Sequence, residues 1–105
     1  MRDALVYIKR LIITGRYAFS EKATIEMEAD GLDELDVLES ILNAVAIHKT
    51  IRSTSPHRQH GRERLYIILI QSTNLNGVFI YTKGKIVSEA GTDTYYFLIS
   101  SKRAL

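Results

Sequence analysis

The chain has 105 residues, enough for one domain and too few for two, and its 46% apolar content can bury a single core without staples. It contains no cysteine, which excludes a disulfide framework, a thiolate nucleophile and every cysteine-based zinc or iron site. A net charge of +2 conceals an asymmetry: residues 20–40 carry eight acids and one base, Lys22, while the rest carries 13 Lys or Arg against four acids, a balance of +9. Such a chain is electrically two-sided, with either a merely solvated acidic helix pair or a basic working surface for a polyanion.

Ala4, Leu5, Ile8, Leu11 and Ile12 recur at helical spacing after Asp3, which offers a cap, and Gly15 closes the run. Lys9, Arg10 and Arg16 interrupt this stretch, so it reads as neither signal peptide nor membrane span, and the expected setting is cytoplasmic with no membrane partner. A second helix is predicted from Ser20, an N-cap followed by Glu21 where the helix dipole favours negative charge. It should stop at Gly31, with Leu32 folding back onto Met27. Asp33 caps a third helix, whose expected apolar stripe is Leu35, Leu38, Ile41, Leu42 and Val45.

From there the period changes. Segments near 46–52, 64–71, 77–83 and 95–101 are rich in Ile, Val, Tyr and Phe. Turn-formers separate them: Asn74-Leu75-Asn76-Gly77, then Gly84, then Gly91-Thr92-Asp93. The order predicts an α+β domain over 1–105, with N-terminal helices packed on one face of a four-stranded, mainly antiparallel sheet.

Alternation divides each strand between two faces. The expected core sets are Ile47 and Ile51; Leu65, Ile67 and Leu69; Val78 and Ile80; Tyr95, Phe97 and Ile99. The opposite sets hold His48, Thr50 and Arg52; Arg64, Tyr66, Ile68 and Ile70; Phe79, Tyr81 and Lys83; Tyr96, Leu98, Ser100 and Lys102. Lys49 breaks the apolar side, as suits an edge strand. The second face would thus gather cations and aromatic rings without a single Asp or Glu, a surface suited to phosphates and unpaired bases. His57, Arg58, His60 and Arg62 lie in the connection beside it. The plainer alternative is that long basic side chains keep a half-exposed sheet soluble.

No other constellation carries chemistry. His57 and His60 are spaced i,i+3 but follow Pro56 among arginines that would repel a cation, so no metal site is expected. No Gly-rich phosphate loop or nucleophile elbow is present, and no cofactor is implied. RNA cleavage needs neither metal nor cofactor: the 2′-hydroxyl is the nucleophile. The protein then helps to remove its proton, stabilise charge on the phosphate and protonate the leaving 5′ oxygen.

Three short motifs resemble the RelE/ParE superfamily of bacterial toxins, in particular its BrnT-like and MqsR-like branches. They are Phe19-Ser20-Glu21-Lys22-Ala23 with Gly31-Leu32-Asp33, then Gly61-Arg62-Glu63-Arg64-Leu65-Tyr66, and the ending Ile99-Ser100-Ser101-Lys102-Arg103-Ala104. The Ile8-Lys9-Arg10-Leu11 stretch before Gly15 and the Tyr81 strand look more like the MqsR branch. The resemblance implies a RelE-like fold, metal-independent cleavage of mRNA, free or on the ribosome, and inactivation by a cognate antitoxin. By matching positions, Tyr81 and Lys102 correspond to catalytic residues, and Arg64 falls near a catalytic glutamine. Relatives often carry His where this chain has Glu21-Lys22. The resulting expectation gives Arg64 and Lys102 the transition-state phosphate and Tyr81 the 2′-hydroxyl, with His57 or His60 as the alternative base. Arg52, Arg58, Arg62, Tyr66, Lys83, Tyr96 and Arg103 would bind flanking RNA. The rival readings are a non-catalytic nucleic-acid-binding module and a protein-interaction domain without enzymatic activity.

Overall fold

The structure, a computed structural model, describes residues 2–52, 64–71, 78–88 and 94–104. Its elements run α1 (Arg2–Ile13), β1 (Tyr17–Phe19), α2 (Glu21–Ala29), α3 (Glu34–Leu42), β2 (Lys49–Arg52), β3 (Arg64–Gln71), β4 (Phe79–Val87) and β5 (Tyr95–Arg103). The strands form one sheet in the order β1-β5-β4-β3-β2, antiparallel except that β1 runs parallel to β5. The α+β class is as expected, but the sheet has five strands among the described residues, not four. Tyr17–Phe19 becomes a strand by pairing with residues 96–98.

Local chemistry explains the helices. Gly15 (φ +78°) and Gly31 (φ +72°) take the left-handed conformation just past α1 and α2. At each end the following residue reaches back five positions, Arg16 N–H to Leu11 O and Leu32 N–H to Met27 O, which satisfies carbonyls the helix leaves open. Ser20 Oγ accepts from Ala23 N–H, and Asp33 forms a reciprocal box with Asp36. Asp3 is not a cap, because α1 already includes it. The apolar stripe of α3 is rotated from expectation. Val37, Leu38 and Ile41 are buried, whereas Leu35 and Val45 are exposed.

The core lies between α1, α3 and one face of the sheet: Leu5, Ile8, Leu11 and Ile12 meet Ile41, Ile68, Ile80, Tyr96 and Leu98. This corrects the face sorting for three strands, β2, β3 and the first half of β5. On β3 it is Ile68 that is buried while Ile67 and Leu65 are half-buried on the other side, and Ile51, paired with Leu65, goes with them. On β5 the core takes Tyr96 and Leu98, leaving Tyr95, Phe97 and Ile99 half-buried. Val78 and Ile80 stand as expected, and Ile47 packs against the core. The side chains of Leu69 and Ile70 lie outside the described residues, as does the Asn74–Gly77 hairpin. Gly84 is not a turn: β4 runs straight through it.

The second half of β5 keeps its expected face because of an irregularity in the ladder. Lys83 pairs with Ser100 but Gly84 pairs with Leu98, so Ile99 is one residue too many on β5. This bulge shifts the alternation, so that residues before and after it obey opposite parities. Lys102, opposite Tyr81, therefore lies on the face away from the helices even though Leu98 lies beneath them.

The burial pattern makes a direct prediction. Ile68→Ala should cost about 2–5 kcal/mol in urea unfolding through lost burial and a residual cavity, whereas half-buried Ile67→Ala should cost clearly less. Equal costs, or the reverse order, would mean that β3 is slipped by one residue.

Candidate nucleic-acid interface

α2 closes the edge of β5 beyond the end of β1, and its polar side chains take the place of a neighbouring strand. Ser20 Oγ donates to Ile99 O (3.0 Å), Glu26 Oε1 accepts from Ser101 N–H (3.3 Å), and Asp30 Oδ2 accepts from Arg103 N–H (2.8 Å). Ser101 Oγ donates in return to Ala23 O. A strand edge otherwise open to pairing is thus covered. The same contacts pull Glu26 to the border of the open face, where its Oε1 also accepts from Ser100 Oγ at 2.6 Å. Its Oε2 faces Lys102 Nζ at 4.0 Å.

Across the β4–β5 ladder, Lys102 Nζ sits 5.5 Å from the centre of the Tyr81 ring, within cation–π range. Lys102, Tyr81 and Glu26 thus form one corner, with the lysine half exposed (48%) and the carboxylate less so (21%). The expectation of a carboxylate-free face is overturned by Glu26. Alternation along β4 adds Lys83 and Lys85 to this face, and Lys85 pairs directly with Phe97. Three lysines, Tyr81, Phe97 and Ile67 therefore share a surface that neither α1 nor α3 covers.

The structure keeps together only part of the expected site. Tyr81, Lys102 and Lys83 share the open face. Arg64 does not, because it has the parity of Ile68 and Tyr66, placing it on the helix side of the sheet at its far edge, beside its partner Arg52. Arg64 and Lys102 cannot hold one phosphate. Tyr66 packs half-buried against the core, and Tyr96 is wholly inside it, so Tyr96 offers no ring to a base. Arg103 is exposed but opposite buried Ile80, which turns it from the open face. His57, Arg58, His60 and Arg62 lie outside the described residues. Sequence reasoning missed Lys85 because Gly84 passed for a turn. It missed Glu26 because nothing local marks which acid of a helix will meet a distant strand.

Tyr96 is itself unusual. Its hydroxyl is buried without a hydrogen-bond partner among the described residues. Burial pushes the phenol far above its ordinary range, and the neighbouring Tyr66 adds to the shift. A hydroxyl left unpaired in a core costs about 1–3 kcal/mol. Tyr96→Phe should therefore stabilise the protein by about 1 kcal/mol at neutral pH, read by denaturant unfolding. The sign of the pH effect follows. The folded state keeps the phenol protonated while the unfolded chain releases its proton near pH ~10, so stability is full below that pH and falls as pH rises through and beyond it. Tyr96→Phe should remove that part of the alkaline loss. A variant no more stable than wild type, with the same alkaline profile, would show that the hydroxyl is satisfied.

Among the described residues, no helix is long and apolar enough to cross a membrane. Comparison with protein-family models, curated proteins and solved structures found no match to this chain.

Proposed function

We propose that the open sheet face binds RNA and that the Tyr81–Lys102–Glu26 corner is its cleavage centre, making the chain a metal-independent endoribonuclease of RelE-like toxin type, with a cognate antitoxin as partner. The observation that carries this reading is the Lys102 ammonium held over the Tyr81 ring beside a carboxylate, in a face supplied with Lys83 and Lys85. The toxin assignment draws its support from the short sequence motifs at residues 19–33, 61–66 and 99–104.

In this mechanism Glu26 takes the place of Tyr81, and of the histidines that were its alternative, as proton acceptor, and Tyr81 becomes the acid. Its Oε1 is occupied by Ser100 and Ser101, which leaves Oε2 for the 2′-hydroxyl proton. The 2′ oxygen bonds to phosphorus as the P–O5′ bond breaks, leaving a 2′,3′-cyclic phosphate. Tyr81 gives its phenolic proton to the departing 5′ oxygen, and Lys102 stabilises the charge that builds on the phosphate. Cleavage of RNA by wild type and by Lys102→Ala tests the proposal.

One observation favours the second reading, a nucleic-acid-binding module without catalysis. With Arg64 on the other face, the corner has one described cation for the transition state, not the two first expected.

A further inference from the structure

We propose that Arg52 and Arg64 form a phosphate-binding clamp on the helix side of the sheet, separate from the open face and independent of its proposed activity. Arg52 ends β2, Arg64 begins β3, and the two are direct cross-strand partners. Residues so paired project to the same side with Cβ atoms roughly 5 Å apart. Both are exposed. Among the described residues, no carboxylate pairs with either. Like charges directly opposite each other weaken a strand pair, and this pairing closes the four-residue ladder of the edge strand β2. A strand that tolerates such a pair is explained if an anion commonly sits between the two.

The surroundings match. Thr50 lies two residues from Arg52 on the same side, which adds a hydroxyl. Thr50, Arg52 and Arg64 line an open depression together with Ile51. The chemistry selects the ligand. One guanidinium fork saturates a carboxylate's two oxygens, so two forks carried at adjacent same-side positions suit a tetrahedral group with oxygens for both, which is a phosphate. Free phosphate, a terminal monoester or a backbone diester of a nucleic acid would each present it.

The test uses the full chain and inorganic phosphate, with chloride as the control at matched ionic strength. Phosphate well above its dissociation constant should raise the melting temperature of wild type by roughly 5 °C more than chloride. Arg52→Gln and Arg64→Gln should each lose most of that shift, and each should melt no lower than wild type without phosphate, because a repulsion has been removed. Lys102→Ala should keep the full shift, which separates this site from the open face. In wild type alone, phosphate titration should move the backbone amide resonances of Thr50, Arg52 and Arg64. A short RNA bound more tightly with a 5′-phosphate than with a 5′-hydroxyl, and only while Arg64 is present, would identify a nucleic-acid end as the source. A response to inorganic phosphate without that preference would identify the free ion. No phosphate-specific shift in wild type, or shifts in both arginine variants as large as that of wild type, would overturn the clamp.

Discussion

Gly84→Ala should destabilise the protein by about 3 kcal/mol, near the upper end for inserting one methyl group into a packed interior. A Cβ at this position would stand 2.5 Å from both Cζ and the hydroxyl oxygen of Tyr96 and 2.8 Å from Cε2. They belong to a side chain with no exposed surface, set within the hydrophobic core, so it cannot swing aside. The backbone of β4 must give way instead. For a chain of this length such a loss corresponds to more than about 10 °C in melting temperature. Tyr96→Leu frees the space, so Gly84→Ala in that background should cost much less than alone, a coupling that a double-mutant cycle reads directly. Additive effects would show that the ring does not lie over Gly84. Gly84 also adjoins the bulge that turns Lys102 to the open face.

How far the sequence reveals this architecture depends on the range of the interactions involved. The ends of α1 and α2 and the start of α3 were legible because Gly15, Ser20, Gly31 and Asp33 act within a few residues of themselves. The bounds of β3 were equally plain. Its faces were not, because Leu65-Tyr66-Ile67-Ile68 is apolar at both parities, and only packing against α3 and α1 decides that Ile68 goes inward. Tyr17-Ala18-Phe19 is too short to read as a strand alone and depends on a partner nearly eighty residues away.

The site shows the same division. Tyr81 and Lys102 were expected on one surface and are found there, though strict alternation with Tyr96 and Leu98 was the wrong reason. The extra residue at Ile99 reverses parity between Leu98 and Lys102, so an error in the first half of β5 cancels before the second. Arg64 has no such correction and ends on the other side. Glu26 belongs to a run of acids whose members look alike in sequence, and the docking of α2 on the β5 edge singles it out.

Lys102→Ala should reduce RNA cleavage on the order of a hundredfold or more while leaving the fold and most of the RNA affinity intact. The magnitude is that usual for losing one group aimed at charge that develops only in the transition state. Stability should change by less than about 1 kcal/mol, because the contact with Glu26 is long and the lysine half exposed. Affinity should fall only as for one phosphate contact, lowering the slope of log K against log salt by about 0.7 for single-stranded RNA. Lys83→Ala and Lys85→Ala should do the opposite, weakening binding while sparing the rate at saturating RNA. Glu26→Gln keeps the shape and hydrogen-bonding reach of the side chain but removes the proton acceptor, so it should also abolish cleavage. Chelator should have no effect on this mechanism. The assay follows mRNA integrity in purified reactions and in extracts with translating ribosomes. Wild type that binds RNA but cleaves it in neither setting would end the enzyme reading and leave the binding module. If Lys102→Ala cleaves as well as wild type, the chemistry lies elsewhere on the chain, and the lysine over Tyr81 is there for packing.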